Sequence, residues 1–289
     1  MKRIACLLLL VGATAAAAEA PLQPKALGDF RQYVLALSWQ PAFCQQQLQK
    51  KDGPLPAECR KDPAYADARQ YLTVHGLWPD LPASLAGKMQ DADYYQKLAR
   101  WYRFGCAAQP LAFAAVDAAN KCPKKPLQFD GELAQALAVD MPGAMASCLA
   151  DYEYQKHGVC FEFEPASYFR TMSNLLRQFR DSGWGKLIGS RYGMAVRKDD
   201  LLAAMGQSFG FQARNAVRLL CNGKPGEQVL AEVQIPILAD RINTPLLADA
   251  FGSADPAPLP NECGAIFQLN SNDFPRSEGE AKPAPLREQ

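Results

Sequence analysis

Over residues 33–39 the chain reads Tyr-Val-Leu-Ala-Leu-Ser-Trp, an apolar run short enough to be a buried strand. Residues 70–75 read as a second strand. There Leu72 and Val74 share one face while Tyr71, Thr73 and His75 share the other, so His75 can point away from the core. Gly76 and Pro79 are expected to end that strand. Strands are also expected over 216–221, 229–238 and 265–269. In the 229–238 segment Val229, Ala231, Val233, Ile235 and Ile237 alternate with more polar neighbours, the pattern of a half-exposed strand. Helical spacing marks residues 93–104, 131–139, 145–157, 165–181 and 199–209. Strands and helices do not alternate regularly. That order favours an α+β domain, a central antiparallel sheet flanked by helices, over a doubly wound fold. Neither a repeat nor a long linker interrupts the chain, so residues 19–273 are read as one domain, with a polar, disordered tail over 274–289.

The first residues add a destination. Lys2 and Arg3, the apolar stretch from Ile4 to Val11 and the alanines that follow have the order of a secretory signal peptide, with cleavage expected after Ala18. The apolar core is well short of the roughly 20 residues of a membrane span. The chain is therefore expected to be exported, to the periplasm or beyond the cell. Of nine cysteines, Cys6 falls in the leader, leaving Cys44, Cys59, Cys106, Cys122, Cys148, Cys160, Cys221 and Cys263. In an exported chain this even set reads as four disulfides; short reach favours Cys44 with Cys59 and Cys221 with Cys263. Loss of Lys2 and Arg3 leaves 29 basic against 30 acidic residues. No global basic field is present, so any polyanion must be held locally. Lys121, Lys124 and Lys125, and Arg170, Arg177 and Arg180, read mainly as solvated surface.

The candidate chemistry gathers at the two histidines, the only ones in 289 residues. One lies in His75-Gly76-Leu77-Trp78-Pro79, the other in Glu153-Tyr154-Gln155-Lys156-His157-Gly158-Val159-Cys160. An ordinary imidazole titrates near pH ~6.5, so two of them can serve as one general base and one general acid. Glu153, Lys156 and His157 stand at i, i+3 and i+4, on one face of a helix. Gly158 suits the position just past its end. The helix terminus and Glu153 favour a protonated His157, whereas Lys156 opposes it, so the net direction stays open at the level of sequence.

These two segments resemble the active-site segments of the ribonuclease T2 family, and Val34-Leu35-Ala36-Leu37-Ser38-Trp39-Gln40-Pro41 with Cys44 is similar to the family's first core strand. The resemblance spans about residues 33–270. It implies an endoribonuclease that cuts single-stranded RNA through a 2′,3′-cyclic phosphate, with His157 as base and His75 as acid. It further implies that Lys156 and Glu153 stabilise the five-coordinate phosphorane. Many family members carry a histidine just before the motif glutamate; here that position is Tyr152, a candidate phosphate contact. Trp78 and Asp80 are candidate base contacts, one by stacking and one by accepting from an exocyclic amine. The resemblance also implies that Cys160 pairs with Cys106, and Cys122 with Cys148.

Three other readings compete. A metal-dependent hydrolase would use both histidines as ligands, but no metal-ligand spacing is present. A cysteine nucleophile at Cys160 would need a free thiol, and a catalytically silent RNA-binding protein of the same fold would need no acid–base pair. The expectation is an RNA-cleaving monomer with no cofactor, no metal ion, no membrane association and no obligate protein partner.

Overall fold

The computed structural model of the chain describes residues 31–50, 55–60, 67–81, 92–93, 96–97, 100–101, 105, 122–129, 131–161, 164–253 and 261–271. The leader expected over 1–18, the tail expected over 274–289, most of the helix expected over 93–104, Lys121 and Cys106 lie outside the described residues.

Strands β1 (Gln32–Trp39), β2 (Leu72–Pro79), β3 (Met194–Arg197), β4 (Arg218–Asn222), β5 (Val229–Leu238) and β6 (Ile266–Leu269) build one sheet. Its order is β2-β1-β5-β6-β3, and β4 also pairs with β5. The pairings are antiparallel except where β5 touches β6, a single parallel contact. Helices α1 (Gln40–Gln49), α2 (Gly131–Asp140), α3 (Leu149–Lys156), α4 (Pro165–Asp181), α5 (Gly183–Ser190), α6 (Lys198–Phe209) and α7 (Phe211–Ala216) flank it. The class is the expected α+β; the sheet is mixed at that one contact.

Helix α4 shows how the core is made. Pro165 opens it, where a missing N–H costs nothing, and Tyr168, Phe169, Met172, Leu175, Leu176 and Phe179 recur at three- and four-residue spacing. All six are buried, each contributing roughly 1.5–3 kcal/mol on leaving water. The Tyr168 hydroxyl donates to the Leu77 carbonyl at 2.9 Å, which fastens this helix to the strand carrying the first histidine motif.

Several elements differ from the sequence expectation. Strand β2 does not stop at Gly76 but continues through Pro79. The helix expected over 145–157 is broken: a turn at Gly143–Ala146 ends, Cys148 adopts φ 50°, and α3 begins at Leu149. Cys148 is bonded to Cys122 there, with the Cα atoms 5.7 Å apart. At the start of β5 Leu230 is buried, while Val229 and Ala231 are only partly buried. Leu220 faces Glu232 but Cys221 faces Leu230, so Ala231 is an extra residue and the alternation slips. Strand β3 and helices α1 and α5 carry patterns too short or too polar to be read beforehand.

The disulfides Cys44–Cys59, Cys122–Cys148 and Cys221–Cys263 are present. Cys160 is also disulfide-bonded, and since the other described cysteines pair among themselves, its partner lies outside the described residues. No described helix is long and apolar enough to cross a membrane.

Arg170 and Arg177 are exposed, as expected of a solvated basic run, but Arg180 is not. It is buried, and its guanidinium donates to the carbonyls of Leu72, Gln70 and Val139 while meeting Asp140 at 2.5 Å. Ser173 donates to the other oxygen of Asp140. One buried cation thus joins α4, the end of α2 and the start of β2. Asp140→Ala leaves that cation without its carboxylate, and we expect a loss of about 3–5 kcal/mol in denaturant unfolding. Replacing Asp140 and Arg180 together with leucine should recover part of it. A loss under about 1 kcal/mol for Asp140→Ala, the range of an exposed pair, would show that the cation does not need its partner.

Candidate active site

The first motif is shaped by a slip in strand pairing. Ala36 faces Gly76, but Leu37 faces Val74, so His75 is an extra residue, a β-bulge. Before the bulge Leu72 and Val74 enter the core; beyond it Leu77 and Pro79 do. His75 and Trp78, three residues apart, therefore both stand on the partly open face. Unbroken alternation would have put Trp78 on the core face with Val74. Thr73, expected beside His75 on the outward face, is instead covered by the start of α1, where it lies within 3.4 Å of Gln40.

The second motif comes from the end of α3. The His157 N–H still reaches the Glu153 carbonyl at 2.8 Å, but with φ −127° and ψ −42° the residue has left the helix. Gly158 does not take the left-handed conformation expected of it. A Cβ there would run into the Tyr154 ring, so the requirement is for space. Gly105, at φ +56°, approaches the Lys156 carbonyl so closely that no Cβ could fit. The end of the helix is thereby pinned from both sides.

A hydrogen bond joins the motifs. The Trp78 indole N–H donates to Glu153 Oε2 at 2.8 Å. It closes directly over Gly76, where a Cβ would collide with both groups. Trp78 then lies between the two imidazoles: ring centroids are 5.2 Å from His75, edge to face, and 5.7 Å from His157. His75 Nε2 is 3.9 Å from Glu153 Oε1. Its other nitrogen, Nδ1, is 2.7 Å from Oε2 of Glu232 on β5. Gln234 Nε2 donates to the second oxygen of Glu232 at 2.8 Å.

Burial and charge then separate the histidines. Burial holds His157 well below the ordinary imidazole range, and the positive charges of Lys156 and His75 push it the same way. Burial also works against a charged His75, but the hydrogen bond to Glu232 and the charges of Glu153 and Glu232 outweigh it, so His75 titrates above the ordinary value. Burial raises Glu153, although His75, Trp78 and Lys156 partly offset it. The surroundings therefore favour the neutral form of His157 and the protonated form of His75, the direction in which a base and an acid divide the work. For His157 desolvation decides the direction, against the helix-terminus effect.

Of the residues singled out from sequence, His75, Trp78, Glu153, Lys156 and His157 come together here. Lys156 acts electrostatically on both histidines and on Glu153. Tyr152 lies on the exposed side of α3, and the Asp80 carboxylate accepts from the Leu81 N–H at 2.9 Å. Glu232 and Gln234 escaped the sequence reading; the only trace was that both are polar positions in an alternating strand.

The family model described as "Ribonuclease T2 family" matches residues 30–246. Ribonuclease I of Escherichia coli (strain K12) is 41% identical over 255 residues, covering 88% of this chain and 91% of that one. Among solved structures, Japanese pear S3-RNase aligns with TM-score 0.48 at 18% identity, over 82% of this chain and 98% of its own. Ribonuclease MC1 from the seeds of bitter gourd aligns with TM-score 0.47 at 21% identity, over 83% and 100%; both likenesses are too distant to add to the assignment. With the matched span enclosing both histidine segments and the strand that carries Glu232, the chain belongs to the ribonuclease T2 family.

Proposed function

We propose that the chain is an endoribonuclease that cleaves single-stranded RNA by transesterification, leaving a 2′,3′-cyclic phosphate and a free 5′-hydroxyl. The observation that carries this reading is the pair of histidines beside one tryptophan, pushed in opposite directions by their surroundings. Neutral His157 takes the proton of the 2′-hydroxyl, whose oxygen attacks the adjacent phosphorus. Negative charge grows on the non-bridging oxygens and is met by the Lys156 ammonium, which gains most in the transition state. Glu153, raised by burial, can donate to the same oxygens only in its protonated form. Protonated His75 gives its proton to the departing 5′ oxygen as the P–O bond breaks. Trp78, with its N–H committed to Glu153, positions that carboxyl, while its ring, Asp80 and Tyr152 remain the candidate base and phosphate contacts. No metal ion enters these steps, because the substrate supplies its own nucleophile.

The disulfide at Cys160 removes the thiol that a cysteine nucleophile would need. Disulfides persist in oxidising compartments, which supports export behind the leader over residues 1–18, to the periplasm or outside the cell. The protein is proposed to act as a monomer with no obligate partner.

Replacing either His75 or His157 with alanine should lower turnover roughly 10²–10⁴-fold with the fold intact, and the double variant should cost far less than the product of the two. Activity should rise with pH as His157 loses its proton and fall as His75 loses its own. With His157 moved down and His75 moved up, the acidic limb should lie below and the alkaline limb above the ordinary imidazole value of about 6.5. Steady-state rates on a defined RNA across pH measure both; near-normal turnover in either variant removes that histidine from the mechanism.

The substrate's role is tested separately. RNA should be cut in excess EDTA to cyclic-phosphate ends identified by mass spectrometry. The same sequence as DNA, or with a 2′-O-methyl group at the scissile position, should survive because the attacking oxygen is missing or blocked. Cleavage that requires a metal ion, or comparable cutting of DNA, would put the metal-dependent reading first.

A further inference from the structure

Glu232 lies outside both motifs, and it reaches the acid from two strands away. Ser38 of β1 faces Thr73 on one side and Glu232 on the other, while the bulge displaces His75 from that row. Ala36, two residues before Ser38 on the same face of β1, is small and fully covered, and the imidazole and the carboxylate meet at 2.7 Å. Gln234 holds the far oxygen of Glu232 at 2.8 Å. A carboxylate only accepts, so the nitrogen it meets must carry a proton. Nδ1 is therefore the N–H nitrogen in both charge states of His75, and the exchangeable proton resides on Nε2, the nitrogen that faces Glu153.

We propose that Glu232, braced by Gln234, is a positioning residue for the general acid: it fixes the ring and tautomer of His75 so that Nε2 delivers the proton to the leaving 5′ oxygen. This rests on His75 being the acid. In the step itself the P–O5′ bond breaks, its electron pair stays with the oxygen, and the Nε2 proton moves to that oxygen, leaving neutral His75 with Nδ1–H still on Glu232. Four groups face His75: Glu232 from β5, and Glu153, Lys156 and His157 from the end of α3. Of these, Glu232 alone makes a hydrogen bond to the ring that the structure resolves. Its removal takes away both an orienting bond and a negative charge that favours the protonated ring.

The test uses two substrates, ordinary RNA and a uridine 3′-phosphodiester with a p-nitrophenyl leaving group, which departs as a stable anion without a donated proton. Glu232→Gln removes the charge and lets an amide N–H compete for Nδ1. It should slow RNA cleavage roughly 10–100-fold, the order seen when the partner orienting a metal-bound histidine is changed, and move the alkaline limb of the pH profile to lower pH. On the p-nitrophenyl ester the same variant should be within a few-fold of the unaltered enzyme. Glu232→Asp should give an intermediate shift of the limb, and it keeps the proposal open to refutation if Glu232→Gln does not fold. Equal losses on both substrates with an unmoved limb would mean a structural role and overturn the proposal, as would unchanged RNA cleavage. His75→Ala distinguishes the two levels. If the activated ester does not rescue it, the acid assignment fails; if it rescues His75→Ala but not Glu232→Gln, only the role of Glu232 fails.

Discussion

The ladder between β1 and β2 slips by one residue at His75, and every side chain beyond that point changes face. The rest of the site depends on this slip. It lifts His75 out of the regular row and turns Leu77 into the core. It also delivers Trp78 to the same side as the histidine, three residues away rather than two. Bulges re-aim side chains in this way because the extra residue bends and twists its strand. A second slip, at Ala231 of β5, lies next to Glu232, so His75 is itself the bulged residue of one strand and the carboxylate that meets it sits beside the bulge of another. Gly76 completes the arrangement by leaving the space that the Trp78–Glu153 bond occupies.

That local geometry is held from behind by the core. Arg180 gathers the carbonyls at the start of β2, and Tyr168 takes the Leu77 carbonyl within the motif itself. Both belong to α4, so one amphipathic helix fixes the strand at its beginning and in its second half. On the other side, Cys148 at its left-handed turn and the disulfide at Cys160 bracket α3 and the turn after it. Two rigid supports thus meet at the Trp78–Glu153 hydrogen bond. Positioning of this kind matters because a proton-transfer group misplaced by an ångström loses much of its effect.

Much of this was legible in the sequence. The alternation over 229–238, the helical stripe over 165–181 and the two histidine segments each reflect a local period, and local periods survive folding. The family resemblance added the Cys122–Cys148 disulfide and the roles proposed for the site residues. What escaped shares a physical cause, dependence on tertiary neighbours. Arg180 looks like its exposed neighbours Arg170 and Arg177 until Asp140 is brought against it. Glu232 is one polar residue among several in β5 until the bulge carries His75 toward it. The direction of His157 could not be read because helix terminus, Glu153 and Lys156 nearly balance on paper. Burial decides it, and burial belongs to the folded state. Gly158 suggested a left-handed helix end, but the Tyr154 ring, one turn earlier, is what requires it.

The central claim is that one fold shifts the titration of two chemically identical rings in opposite directions, the arrangement that the proposed base and acid require. The most direct measurement is a titration of the imidazole resonances by NMR in the substrate-free protein. With two histidines in the chain, a single His→Gln variant assigns both signals. The account predicts that His157 titrates below and His75 above the ordinary value of about 6.5. Coincident titrations, or the reverse order, would contradict it.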